Sequence, residues 1–270
     1  MQPRNPRGMM AAKGKIPRTG IRGRDLSIIL VACGLACAPF PALAGPPFIT
    51  DDPEPVEYQH SEFYIASLQT SVSDGKSGTL PHIEYNYGVA PNVQLHILVP
   101  YAFSSPAGGV TERGVGDTEL GIKYRFAEET EASPMAGIFP ILLTRTGDFN
   151  KGLGAGGTQL FLPVWIQKKW GEWQSNGGGG YWISHAPDIR NHWFAGWQLQ
   201  KDISEHVTLG GELFHSTEQV AGQGSSSGFN LGGYYNFNEH DHLMLSAGKG
   251  LQNADLTNRL SIYFAYQRTW

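Results

Sequence analysis

Glu119, Lys123 and Arg125 stand at positions i, i+4 and i+6 of one short stretch. On an extended strand successive side chains point to opposite faces, so this spacing puts a carboxylate and two cations in one row. Glu84, His96 and Glu212 occupy the same kind of position in other alternating stretches. Six ionisable groups on inward faces could line a solute path or a binding constriction; the plainer alternative is that they pair off and fill a narrow interior. Catalytic arrangements are harder to find. Esterase-like chemistry on a strand needs His and Ser two residues apart on one face. His60-Ser61 and His215-Ser216 are adjacent and so diverge, and His206-Val207-Thr208 offers only a threonine. His240-Asp241-His242, beside Glu239, has the i, i+2 spacing of a metal pair, but it falls where a solvated turn is expected. Gly152-x-Gly154-x-Gly156-Gly157 has the look of a phosphate-cradling loop. No Walker lysine and no helix follow it, so it reads as a flexible outer loop. The expectation is therefore no catalytic residue, no metal and no cofactor.

The elements that must position the six groups follow from composition. The chain has 270 residues with 35 Gly, 7 Trp, 11 Tyr and 13 Phe, and only 16% charged residues. Glycine and aromatics together favour many short strands joined by turns. Beyond Ala44 no run approaches the ~20 apolar residues of a membrane helix. If the chain meets a bilayer, it must do so as a closed sheet.

Residues 1–44 are different material. Arg4, Arg7, Lys13, Lys15, Arg18, Arg22 and Arg24 face a single acid, Asp25, and an apolar stretch from Leu26 runs to Phe40. Ala42-Leu43-Ala44 gives a small-x-small cleavage pattern, so 1–44 is expected to be a signal peptide. Met9 and Met10 are alternative starts within the long leader. Leu30-Val31-Ala32-Cys33 also fits a lipoprotein cleavage box, with the better site downstream. Cys33 and Cys37 both fall in this segment, so the mature chain needs no disulfide. Its removal leaves thirteen basic against twenty-three acidic residues, a net charge of −10. Nucleic acid is excluded as a partner on electrostatic grounds.

Gly45 to Gln59 (GPPFITDDPEPVEYQ) is rich in proline and acid and reads as an extended periplasmic arm or plug over 45–59, a plug because its acidity would stand opposite Lys123 and Arg125. From 60 to 270 the pattern predicts an all-β, up-and-down antiparallel transmembrane β-barrel of about twelve strands. They are placed near 61–72, 80–89, 93–103, 115–127, 133–145, 156–169, 172–184, 192–202, 206–216, 228–237, 241–250 and 259–270. Short turns such as Ala90-Pro91-Asn92 and Trp170-Gly171 alternate with longer loops, at Ser73–Thr79, Ser104–Gly114, Thr146–Ala155, His185–Asn191, Thr217–Ser227 and Gln252–Asn258. Short inner turns and long outer loops are the asymmetry of bacterial barrels.

The strands alternate as lipid requires. Leu260, Ile262, Phe264, Tyr266 and Trp270 oppose Ser261, Tyr263, Ala265, Gln267 and Thr269, and Leu120, Ile122, Tyr124 and Phe126 oppose Glu119, Gly121, Lys123 and Arg125. Residues 61–72 and 133–145 fit either face, and Gly177 to Gly180 weakens the seventh strand. Alternation alone also suits a soluble sandwich. The aromatic residues near strand ends and the terminal strand closing on Phe264, Tyr266 and Trp270 favour the membrane. That ending is the kind of signal the barrel-assembly machinery reads.

Two stretches carry a family likeness: Gly45 to Pro53 (GPPFITDDP), and Gly114 to Phe126 (GVGDTELGIKYRF) with its G-x-G-D-x-x-x-G-x-K-Y-R-F pattern. With the aromatic terminus, the chain resembles the outer-membrane transporters grouped with the MetA pathway of phenol degradation. The resemblance implies a barrel and the passage of small aromatic or apolar solutes, and supplies no catalytic residues to carry over. The sequence thus predicts a porin-like bacterial outer-membrane protein with Glu84, His96, Glu119, Lys123, Arg125 and Glu212 in its lumen. Its expected partners are outer-membrane lipid and lipopolysaccharide, the assembly machinery and a small-molecule solute. A non-conducting structural or adhesive barrel, a barrel lipid hydrolase and a soluble periplasmic β-protein are the alternatives.

Overall fold

Alternation of apolar and polar residues at period two makes strands throughout, and a computed structural model describes them over residues 46–270. The leader expected over 1–44 lies outside the described residues. The segments are β1 (Ser61–Val72), β2 (Gly75–Ala90), β3 (Val93–Pro106), β4 (Glu112–Val115), β5 (Glu119–Ala127), β6 (Met135–Ile138) and β7 (Ile141–Leu143). They continue as β8 (Gln159–Trp170), β9 (Trp173–Ser184), β10 (His192–Ser204), β11 (Val207–Ser216), β12 (Ser226–Asn236), β13 (Asp241–Gln252) and β14 (Leu260–Thr269). Both β4 and β5 pair with β3, forming one stave interrupted at Gly116–Thr118. Likewise β6 and β7 form one stave interrupted at Phe139-Pro140, between β5 and β8. The result is a closed antiparallel barrel of 12 staves. Closure comes from β1 on β14, in register from Glu62↔Thr269 to Ser71↔Leu260. A closed cylinder leaves no unpaired edge, the condition for sheet in hydrocarbon.

Every predicted strand is present, and two are split. The expected outer loop at Ser73–Thr79 is corrected. The β1–β2 ladder runs on to Val72↔Gly75 and turns through Ser73 and Asp74 alone. Polar residues above the bilayer still gain from ladder hydrogen bonds, and Gly75, at φ +148°, takes a backbone angle other residues avoid. The glycine run does not weaken β9 either, because both of its neighbours pair with it throughout.

The exterior is apolar. Leu95, Ile97 and Val99 of β3, Leu120 and Ile122 of β5, Leu162, Val164 and Ile166 of β8, and Leu260, Ile262 and Phe264 of β14 all stand exposed. A belt this continuous belongs in lipid, and with closure it is the build of an outer-membrane barrel. Trp170, Trp173, Tyr235, Phe237, Phe126 and Trp270 mark the short-turn rim. At the seam, Ser61 and Trp270 exchange backbone hydrogen bonds at 2.8 and 3.0 Å, and on the other side of β14 the Tyr266 hydroxyl bonds Asp241 of β13. The two ambiguous stretches resolve: Tyr64, Ala66 and Thr70 face inward, as do Met135, Phe139, Ile141 and Leu143.

Candidate functional site

Lys123 points into the lumen from the middle of β5 and is buried. Its ammonium lies 3.2 Å from Asp51 and 3.4 Å from Asp52, with the Glu54 carbonyl at 3.5 Å. The Phe139 ring supports it at 5.0 Å. From β11, Glu212 reaches in and accepts the amide hydrogens of Ile49 at 2.8 Å and Thr50 at 2.7 Å, while Asn230 donates to it at 2.6 Å. The arm is thereby gripped by a cation from one element and a carboxylate from another, inside the barrel.

The arm's sequence explains why it can lie there. A segment off the ladder must satisfy its backbone donors otherwise. Pro46, Pro47, Pro53 and Pro55 have no N–H to satisfy. The amides of Ile49 and Thr50 donate to Glu212, Asp52 to Asp51, Glu54 to Asp52 and Val56 to Gln94, all between 2.7 and 2.8 Å. The Pro46 and Pro47 carbonyls accept from Tyr234 at 2.9 Å and Ser246 at 2.5 Å. Thr50 packs where a side chain on Gly196 would have to be. Phe48, Thr50 and Asp51 are fully enclosed. Near the periplasmic mouth, Glu54 meets Lys169 and Gln167, each at 3.2 Å. Burial pushes the Glu54 carboxyl up, but Lys169, Gln167 and Arg125 outweigh it and hold the group below its ordinary range.

The remaining predicted residues divide into two places. Glu84, His96 and Glu119 meet on β2, β3 and β5. His96 Nδ1 lies 2.8 Å from the Asn86 amide oxygen and 3.6 Å from Glu84, and its Nε2 lies 3.9 Å from Glu119. His96 packs edge-on to Phe139, ring centres 5.3 Å apart. Arg125 belongs elsewhere. Only half-buried at the periplasmic mouth, it bonds the Asn92 side chain at 3.0 and 2.5 Å and Glu128 at 3.6 Å. The Glu119/Lys123/Arg125 row shares a face but does not act as one unit. Arg125 touches no arm carboxylate, so the expected pairing of the arm with both cations holds for Lys123 alone.

Sequence reading missed a second lumenal surface. Phe139, Ile141, Leu143, Phe161, Trp165, Trp182 and Phe194 form an inward apolar cluster on β6–β10. Phe161 and Trp182 stack at 4.5 Å and 9°. The clue lay in β8, which is apolar on both faces but carries its rings, Phe161 and Trp165, on one. Gly178, at φ +154°, leaves the space the Trp165 ring occupies.

The glycine-rich loop is a further correction, because it folds into the lumen rather than standing free outside. Asp117 accepts the amides of Gly147 at 2.8 Å and Ala155 at 2.7 Å, and Leu153 and Ala155 are buried. Gly114 and Gly116 sit beneath Leu153 with no room to spare. The G-x-G-D pattern is therefore an anchor for this loop. Above the arm, on the long-loop side, opens a vestibule. Pro47, Phe48 and Ile49 are among its lining, with Trp182, Phe194, Tyr263 and Asn230. A smaller hollow lies between the inward loop and β3.

No protein family and no curated protein matches the chain. Solved structures do. The COG4313 outer membrane channel from Pseudomonas putida F1 superposes with a TM-score of 0.67 at 17% identity, covering 81% of this chain and 98% of that one. The NanC porin gives 0.53 at 6% identity, over 77% and 98%. The KdgM porin, solved with disordered oligogalacturonate, gives 0.51 at 8% identity, over 78% and 98%. The likeness is one of fold.

Proposed function

We propose that the barrel is an outer-membrane channel for small uncharged solutes, apolar or aromatic in character, closed at rest by its own arm. The observation that carries this reading is the vestibule. It opens to the outside, has an aromatic wall, and ends on a segment held by side chains alone. The channel and porin folds it resembles support a pore, and the Gly114–Phe126 likeness to transporters of the MetA pathway points toward aromatic solutes. Charge sharpens the solute class. Glu62, Glu84, Glu119, Glu212, Asp51, Asp52 and Glu54 surround the path, against Lys123, Arg125 and Lys169. A polyanion such as the oligogalacturonate bound to KdgM would meet repulsion here.

The test compares uptake into liposomes carrying the purified protein of an aromatic alcohol and an aromatic carboxylate of equal size. The alcohol should enter faster by at least several-fold, and equal rates or none would defeat the reading. A non-conducting barrel is the second reading, favoured by one observation: the arm fills the lumen. Planar-bilayer recordings with no openings at any voltage would establish it.

A further inference from the structure

The outer rim carries a feature that solute passage does not use. Cross-strand partners lie on the same side of a sheet. Ser71 pairs with both Leu260 and Lys76. Leu260 faces outward, so Lys76 does too, and it is exposed. Lys249, one residue beyond the Gly248–Ser261 pair, comes level with Leu260 and is exposed. Arg113 pairs with Phe103 and shares the outward row of β4 with Val115. Arg259 stands just before β14, its amide bonded to Ser71 at 2.7 Å. Four cations thus follow the rim from β13, across the seam, to β4. With strands about 4.8 Å apart, Lys249 and Lys76 arise about 14 Å from each other.

Their surroundings offset only part of that charge, and Glu112, beside Arg113, goes to Lys151 at 3.9 Å. Asp255 takes up Arg259 at 2.7 Å, and Asp74 stands exposed in the turn beside Lys76. Lys76, Arg113 and Lys249 make no ion pair among the described residues. The strand ends of β8–β12 differ, and the loop cation there, Arg190, is paired with Glu218 at 2.7 Å. Outward positions at the outer ends of β8–β12 hold Leu160, Ile183, Trp193, His215 and Ser227, with no lysine or arginine. Below the cations the wall turns apolar at once, through Leu80, Tyr101 and Val99. Cations above an apolar strip repeat the layering of a phosphorylated lipid, and long basic side chains span that boundary readily.

We infer that this arc is a docking surface for a phosphorylated glycolipid of the outer leaflet. Lys76, Arg113 and Lys249 hold its phosphates, and its acyl chains lie on the wall formed by β1–β4. The full-length mature protein, purified in detergent, is incubated with bisphosphorylated lipid A and the retained lipid counted by native mass spectrometry. The triple variant Lys76→Gln, Arg113→Gln, Lys249→Gln should bind roughly a hundredfold more weakly. The double variant Lys76→Arg, Lys249→Arg should keep the lipid, and so should Arg268→Gln at the opposite rim. Dephosphorylated lipid A should not be retained. Heat-modifiable gel mobility establishes that each variant is folded. Undiminished binding by the folded triple variant would overturn the assignment. Equal retention of the dephosphorylated lipid or of phosphatidylglycerol, or displacement by inorganic phosphate, would also overturn it, leaving a nonspecific anion surface.

Discussion

The arm over residues 46–57 and the loop over Gly147–Gly157 both occupy the lumen, but they are held from different directions. Lys123 and Glu212, on β5 and β11, grip the arm, with Gln94, Tyr234 and Ser246 adding single bonds from β3, β12 and β13. The loop is tied mainly by Asp117 to the stave beside its own starting point. A segment spanning the lumen between facing walls blocks it, whereas one laid along a wall only narrows it. The arm is also polar where it is gripped and the loop is not, so charge changes should act on the first far more than on the second.

The largest effect should come from removing the arm. Deleting 46–57 is expected to raise single-channel conductance several-fold in planar bilayers at fixed salt, and an unchanged trace would mean that the loop is the true barrier. Next comes Lys123→Ala, which strands the Asp51 charge in the interior. Breaking such a buried pair costs about 3–5 kcal/mol, so hydrogen exchange at residues 49–56 should accelerate strongly while the loop stays protected. Asp117→Ala should do the converse at smaller scale, since two backbone amides lose their acceptor at about 1–3 kcal/mol each. Exchange at 147–155 would rise and conductance would shift only modestly; loss of protection in the arm as well would show the two segments to be coupled. The smallest effect is set by pH. The folded-state pKa of Glu54 is depressed, so its contribution is present above the ordinary carboxylate range and is lost as pH falls through the folded value. Opening probability should therefore rise only as pH falls below the ordinary glutamate range, and Glu54→Gln should remove that component.

The difference between the two segments also marks how far the sequence could be read. Period-two alternation is a local signal, and it placed all the staves and the inward row of Glu84, His96, Glu119, Lys123 and Glu212. The partners of that row are not local. Glu212 meets Ile49 across 163 positions, and no spacing rule connects an arm to a strand so distant. The arm's acidity did point to Lys123, because charge complementarity needs no register. It overreached at Arg125, since charge alone does not say how deep a side chain sits. The aromatic wall was hidden because β8 is apolar on both faces, leaving the period without contrast. The inward loop was hidden for the opposite reason. Glycine-rich sequence permits almost any path, and only the Asp117 carboxylate, a single residue, chooses this one.

One consequence of closing β1 on β14 concerns the order of assembly. The arm is synthesised before any strand, yet the residues that receive it arrive with β3, β5 and β11–β13, and the cylinder is sealed only by β14. Its socket therefore does not exist until nearly the whole chain is in place. The arm's bonds from Tyr234 and Ser246 span 188 and 199 positions, so the arm cannot settle fully before β13 is in place. A cylinder completed before it is filled passes through an unfilled state on the way to its finished form.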